Sequence, residues 1–231
     1  MKWNELKYKL RYKWTKLRLR HIRILCFHHV SDEFDESTMY PGDWISTDEF
    51  KKRVQSLREQ GYRFISLVEA HEHIKHDFIR TRKYVVLTAD DGWASLKNIL
   101  PWLNEQKIPI TLFLNPAYLD GKHFRERNTE KYLTEKEVNQ LYKLYPLLTI
   151  GSHGWEHLPA PKQTTQEFTD NVLKSYEYLS KLPNFVPYFA YTWGWNWYHT
   201  DGIVLKCHMT PINLCGKNYS NQYFLHREDI N

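Results

Sequence analysis

The sequence predicts an α/β fold in which parallel strands are wrapped by helices. Three observations predict it. Short apolar, β-branched runs alternate with amphipathic helical patterns from residue 22 onward. Two capping boxes, Thr134 with Glu137 and Thr164 with Glu167, mark helix starts between those runs. Polar clusters follow directly on the strand-like runs, as they do where parallel strands end together on one face.

The elements follow in order. Ile22–Phe27 is strand-like. Thr47 precedes a helix that turns Phe50, Val54 and Leu57 inward and stops at Gly61. Tyr84–Thr88 is apolar and β-branched, hence a buried strand. Ile99, Leu100 and Leu103 mark the next helix, and Ile110–Leu114 the next strand. A short helix follows Thr134, and Leu147–Ile150 is again strand-like. The helix opened by Thr164 carries Phe168, Val172, Tyr176 and Leu179 on one side. Pro187–Tyr191, Pro211–Cys215 and Tyr223–His226 are the last strands, with a weak helix near His199–His208. Residues 31–46 and 116–133 are long, polar and turn-rich, so they are expected as loops at the functional face.

Bulk properties exclude several classes. The chain has 231 residues, enough for one core. Its net charge of +5 is unevenly placed: residues 1–23 hold nine Lys/Arg against Glu5 alone, so +8 there leaves −3 for the remainder. Basicity therefore belongs to a tail, and no nucleic-acid partner is expected for the folded body. Trp3, Leu6, Leu10, Trp14 and Leu17 form one helical stripe amid Lys and Arg. Residues 1–21 read as a basic amphipathic helix, followed by a domain over 22–231. That helix either lies on an anionic membrane through residues 2–20 or packs on the domain with a solvated basic face. Cys26, Cys207 and Cys215 have no metal-type spacing and read as reduced thiols. With no spanning apolar run and no signal-like segment, the expected location is cytoplasmic, peripheral to the inner face of a membrane.

Four polar clusters carry the chemistry: His28-His29, Thr88-Ala89-Asp90-Asp91-Gly92, Gly151 through His157, and Tyr191-Thr192-Trp193-Gly194. Each follows a predicted strand, so strand ends could gather them in one pocket. Of two adjacent carboxylates, one can face a metal while the other takes a proton. Two His and one Asp suit a borderline cation such as Zn²⁺, with Co²⁺, Ni²⁺ or Fe²⁺ fitting the same donors. Taken singly, Asp-Asp-Gly is a common turn and His-x-x-x-His a weak pattern. Their order and strand context give them force together.

Thr88–Gly92 resembles the Thr-Phe-Asp-Asp-Gly motif of the NodB-type polysaccharide deacetylases, with Ala89 replacing Phe. His153 and His157 resemble that family's His-Ser/Thr-x-x-His motif, with Gly154 in place of the hydroxyl residue. Phe189 through Gly194 is similar to Phe-Ala-Tyr-Pro-Tyr-Gly, with Thr192 and Trp193 as replacements. Cys26 through Val30 resembles the Tyr-His-x-Val strand end of the branch acting on poly-N-acetylglucosamine. The resemblance covers about residues 22–228.

It implies a distorted (β/α) barrel of about seven parallel strands behind the basic helix. It also implies that Asp91, His153 and His157 hold a divalent metal and that Asp90 is the general base. The backbone N–H at Trp193 would face the developing oxyanion. His28 would protonate the leaving amine, with His226 in Leu225-His226 as the alternative acid. Ala190 stands where many members carry an Arg that positions the base. The expected function is removal of N-acetyl groups from a glycan or glycan precursor in surface-polysaccharide biosynthesis or modification. Two other readings remain open at this level: an inactive glycan-binding scaffold that retains the barrel, and an O-acetyl esterase.

Overall fold

A computed structural model describes residues 22–33, 43–76, 83–120, 131–196, 199–214 and 225–230. The basic helix expected over residues 1–21 and the thiol of Cys215 lie outside them. Seven strands close a parallel barrel: β1 (Arg23–Phe27), β5 (Lys83–Ala89), β6 (Ile110–Leu114), β7 (Leu148–Ser152), β8 (Phe185–Ala190), β9 (Thr210–Leu214) and β10 (Leu225–Asp229). Closure comes from β1, which pairs with β5 on one side and with β10 on the other. A short strand, β4 (Tyr62–Phe64), pairs with the first residues of β5. Beyond β1, β2 (His29–Val30) and β3 (Trp44–Ile45) form a small parallel ribbon, with β3 falling inside the 31–46 stretch expected as a loop.

Side-chain alternation sorts each strand into an outward and an inward row. Outward residues such as Leu25, Phe27, Val85, Leu87, Leu112 and Leu114 pack under the helices. Those helices are α1 (Thr47–Glu59), α3 (Leu100–Glu105), α4 (Glu135–Leu144) and α5 (Thr165–Leu179), which present Phe50 and Val54, Leu100 and Leu103, Val138 and Leu141, and Leu179. A last helix, α6 (Thr200–Lys206), packs Val204 with Phe168 and Tyr191. Both predicted capping boxes are present, at Thr134/Glu137 and Thr164/Glu167. The cap of α1 is Ser46, whose side chain accepts from the Glu49 N–H, and Thr47 already sits inside the helix.

Inward residues Ile24, Val86, Phe113, Tyr188, Ala190, Ile212 and Leu225 form a second cluster. They share it with Leu67, Ala70 and Ile74 of α2 (Leu67–Lys75), a helix not expected from sequence. Because α2 joins the lumen cluster, it plugs the barrel at the end away from the strand tips. There His71 Nδ1 meets the Tyr188 hydroxyl at 2.9 Å. Burial, with Lys75 nearby, lowers the His71 pKa to about 4, so the ring is neutral near pH 7.

Candidate active site

The strand tips deliver the expected residues to one end of the barrel. Asp90 and Asp91 leave β5 in a tight turn, with Asp91 in a left-handed conformation (φ 68°). Asp91 is 1% exposed, and its Oδ2 accepts a hydrogen bond from the Trp93 indole N–H at 3.0 Å. Its Oδ1 lies 3.4 Å from His153 Nε2 and 3.1 Å from His157 Nε2. His153 Nδ1 is 2.8 Å from the carbonyl of Ala190, an acceptor only, so Nδ1 carries the proton and donates. That fixes the tautomer whose Nε2 lone pair faces Asp91, the arrangement typical of a metal-bound imidazole.

The loop carrying both His is held from several sides. Asn115 donates to the carbonyls of His153 and Gly154, Asn171 accepts from the Trp155 N–H, and the Tyr118 hydroxyl accepts from the His157 N–H. Gly154, where the resembling family has Ser or Thr, adopts φ +84°, and a Cβ there would sit 2.5 Å from Asn171 Oδ1. Glycine is therefore what this loop geometry requires.

Asp90 occupies a different setting from its neighbour. Arg227 of β10 grips it in a bidentate pair, at 2.5 Å and 2.7 Å. The guanidinium is 1% exposed and lies 5.3 Å over the Phe113 ring. Burial alone would raise the Asp90 pKa, but Arg227 and then His153 outweigh it and hold it at about 2. Asp90 is thus ionised across the physiological range. Arg227 was not among the residues expected from sequence, where the one position weighed for such an arginine holds Ala190.

His28 and His29 part company. His28 lines the pocket, with Nδ1 3.9 Å from Asp43 Oδ1. His29 is buried with its ring 4.3 Å from that of Trp93, a packing role. His226 is not brought to the pocket. Arg227 and Asp229 line it from β10, so alternation turns His226 to the opposite face of the sheet. Of the two acids expected from sequence, the structure thus brings His28 to the pocket and turns His226 away from it. Trp193 lines the pocket beside His157, with ring centroids 5.8 Å apart.

Among the described residues, two side-chain triads have metal-type spacing: Asp91/His153/His157 and Cys26/His28/Asp90. The second is a poor cation site. Both Asp90 oxygens already face Arg227, and burial pushes the Cys26 thiol well up, keeping it protonated. The first offers one carboxylate oxygen and two Nε2 atoms converging within 4.8 Å. This donor set fits zinc or a similar divalent ion.

The family model described as polysaccharide deacetylase matches residues 79–204. YxkH of Bacillus subtilis (strain 168), which carries the name of a polysaccharide deacetylase, is 25% identical over 153 residues. That match takes in 64% of this chain and 49% of YxkH, so the chain spans about half the length of the curated relative. Among solved structures, IcaB from Ammonifex degensii superposes with a TM-score of 0.76 at 20% identity, covering 90% of this chain and 91% of its own. The Streptococcus pyogenes deacetylase PplD, solved in complex with acetate, gives 0.76 at 20% identity and 90% and 92% coverage. A de-N-acetylase from Aggregatibacter actinomycetemcomitans gives 0.71 at 18% identity, with 90% and 94% coverage. At these identities the likeness establishes the barrel.

Proposed function

Because the chain belongs to the polysaccharide deacetylase family, we propose that it is a metal-dependent hydrolase removing N-acetyl groups from a glycan or glycan precursor. One observation carries the reading. Asp91 Oδ1 lies against Nε2 of both His153 and His157 while the adjacent Asp90 is held apart, ionised, by Arg227. Asp91, His153 and His157 would hold a divalent cation, which when bound would supply Lewis acidity toward the acetyl carbonyl and water. Asp90 takes the proton of the attacking water as general base. The backbone N–H of Trp193 faces the negative charge developing on the carbonyl oxygen. His28, which lines the same pocket with Asp43 and Asp229, delivers the proton that the departing amine needs.

Acetate release from N-acetylglucosamine oligomers tests this. Zinc-loaded protein is expected to release acetate, and Asp91→Ala to lose both zinc and activity. Zinc binding without acetate release from N- or O-acetylated sugars would favour a glycan-binding scaffold. Release from O-acetyl esters alone would favour an esterase, since both reactions pass through the same oxyanion.

A cytoplasmic position on the inner face of a membrane, held by residues 2–20, is part of the same proposal. It rests on the Trp/Leu stripe and basic residues of that segment. Among the described residues, no helix is long and apolar enough to cross a membrane. Contact of this kind is electrostatic in large part, so high salt is expected to release the protein from anionic vesicles. Failure to bind them at low salt would remove this support.

A further inference from the structure

Trp193 and Trp195 stand out from the rest of the barrel. Both indoles are about half exposed, 51% and 54%, in a protein that buries Trp93 completely. Their ring centroids are 6.2 Å apart with planes tilted by 38°. The backbone that presents them is held in a conformation bulky residues seldom adopt. Trp193 has φ +61° and Gly194 φ +66°. The position a Cβ would take on Gly194 is filled by the Leu214 side chain of β9. A strained turn with a large aromatic at positive φ persists only when its surroundings enforce it, and such turns gather at functional sites.

The two rings are also continuous with the pocket. Trp193 lines it with its ring 5.8 Å from that of His157, and the Trp195 ring adjoins that of Trp193. The ring-to-ring step is comparable with the width of one pyranose. The C–H faces of a sugar ring pack on indole, and its hydroxyls stay in water at an exposed site.

Resting on the deacetylase reading above, we propose that Trp193 and Trp195 form a stacking platform for the sugar ring next to the one deacetylated. Trp193 contacts the reacting sugar and Trp195 its neighbour.

Calorimetric titration with N-acetylglucosamine oligomers of one to five residues tests this, using the full chain with Asp90→Asn to prevent turnover. The tetramer is expected to bind more tightly than the monomer. Adding Trp195→Ala is expected to reduce that advantage about tenfold, and Trp195→Phe to retain most of it. Trp195 is exposed, so neither change disturbs the core. No length preference, or a preference untouched by Trp195→Ala, overturns the proposal. So does a Trp195→Ala variant that loses binding to anionic vesicles while keeping its oligomer affinity, which would make the pair a membrane contact. Acetate release by the wild-type chain is scored separately. Its absence beside Trp195-dependent oligomer binding would remove the deacetylase reading and leave the platform standing.

Discussion

Asp90 and Asp91 are adjacent in the chain and opposite in role, and their surroundings account for the difference. Asp91 has its Oδ2 engaged by Trp93 and its Oδ1 toward two imidazoles, whereas both oxygens of Asp90 face Arg227. Asp90→Asn is therefore expected to keep zinc while lowering kcat by about 10²- to 10⁴-fold, checked by metal content and initial rates together. Arg227→Met removes one half of a buried ion pair. It is expected to destabilise the fold by about 3–5 kcal/mol, measured by urea unfolding, because the Asp90 carboxylate is left without its counter-charge. The acids and imidazoles were legible in sequence because each sits in a short polar cluster after a strand. Arg227 was not, since a single Arg in a strand makes no local pattern. Its meaning comes from a partner 137 positions away. His226 misled for a related reason: a short motif match does not say which face of the strand it occupies.

At the scale of elements, the turn-and-cap chemistry was read well and the plug was missed. The apolar stripes of α1 and α5 and both capping boxes gave their helices clear starts and faces. Helix α2 shows the same logic in a weaker form. Ser66 caps it, accepting from the Glu69 N–H, and Leu67, Ala70 and Ile74 are spaced for one face. Three His and two Glu between residues 69 and 76 obscure that stripe. The plug brings a pH dependence of its own. His71 titrates near 4 when folded and near 6.5 when unfolded, so the unfolded chain binds its proton first on acidification. Its contribution is present in full above about pH 6.5 and is lost as the pH falls toward 4. The metal-free protein should thus lose melting temperature between pH 7 and 5 more steeply than His71→Gln, and equal slopes would count against it. In the metal loop, Gly154→Ala puts a side chain at positive φ against Asn171. It is expected to lower the melting temperature and weaken zinc retention together, whereas a surface change would move neither.

For the whole molecule, closure is what turns scattered clusters into a site. Only when β1 pairs with both β5 and β10 do His28, Asp90 and Arg227 come within reach of one another. The parallel α/β class was readable from alternation alone. The pairing of first and last strands was not, because it joins residues some 200 positions apart, such as Leu25 with Glu228. A cation binding only the closed barrel stabilises it by mass action, about 2.7 kcal/mol at a hundredfold excess over Kd, so zinc should raise the melting temperature. Anomalous scattering from a zinc-soaked crystal shows whether this cation sits on Asp91, His153 and His157. One strong peak is expected about 2.0–2.2 Å from Asp91 Oδ1 and both Nε2 atoms. A peak on Cys26, His28 and Asp90, or no peak in the barrel mouth, would contradict it.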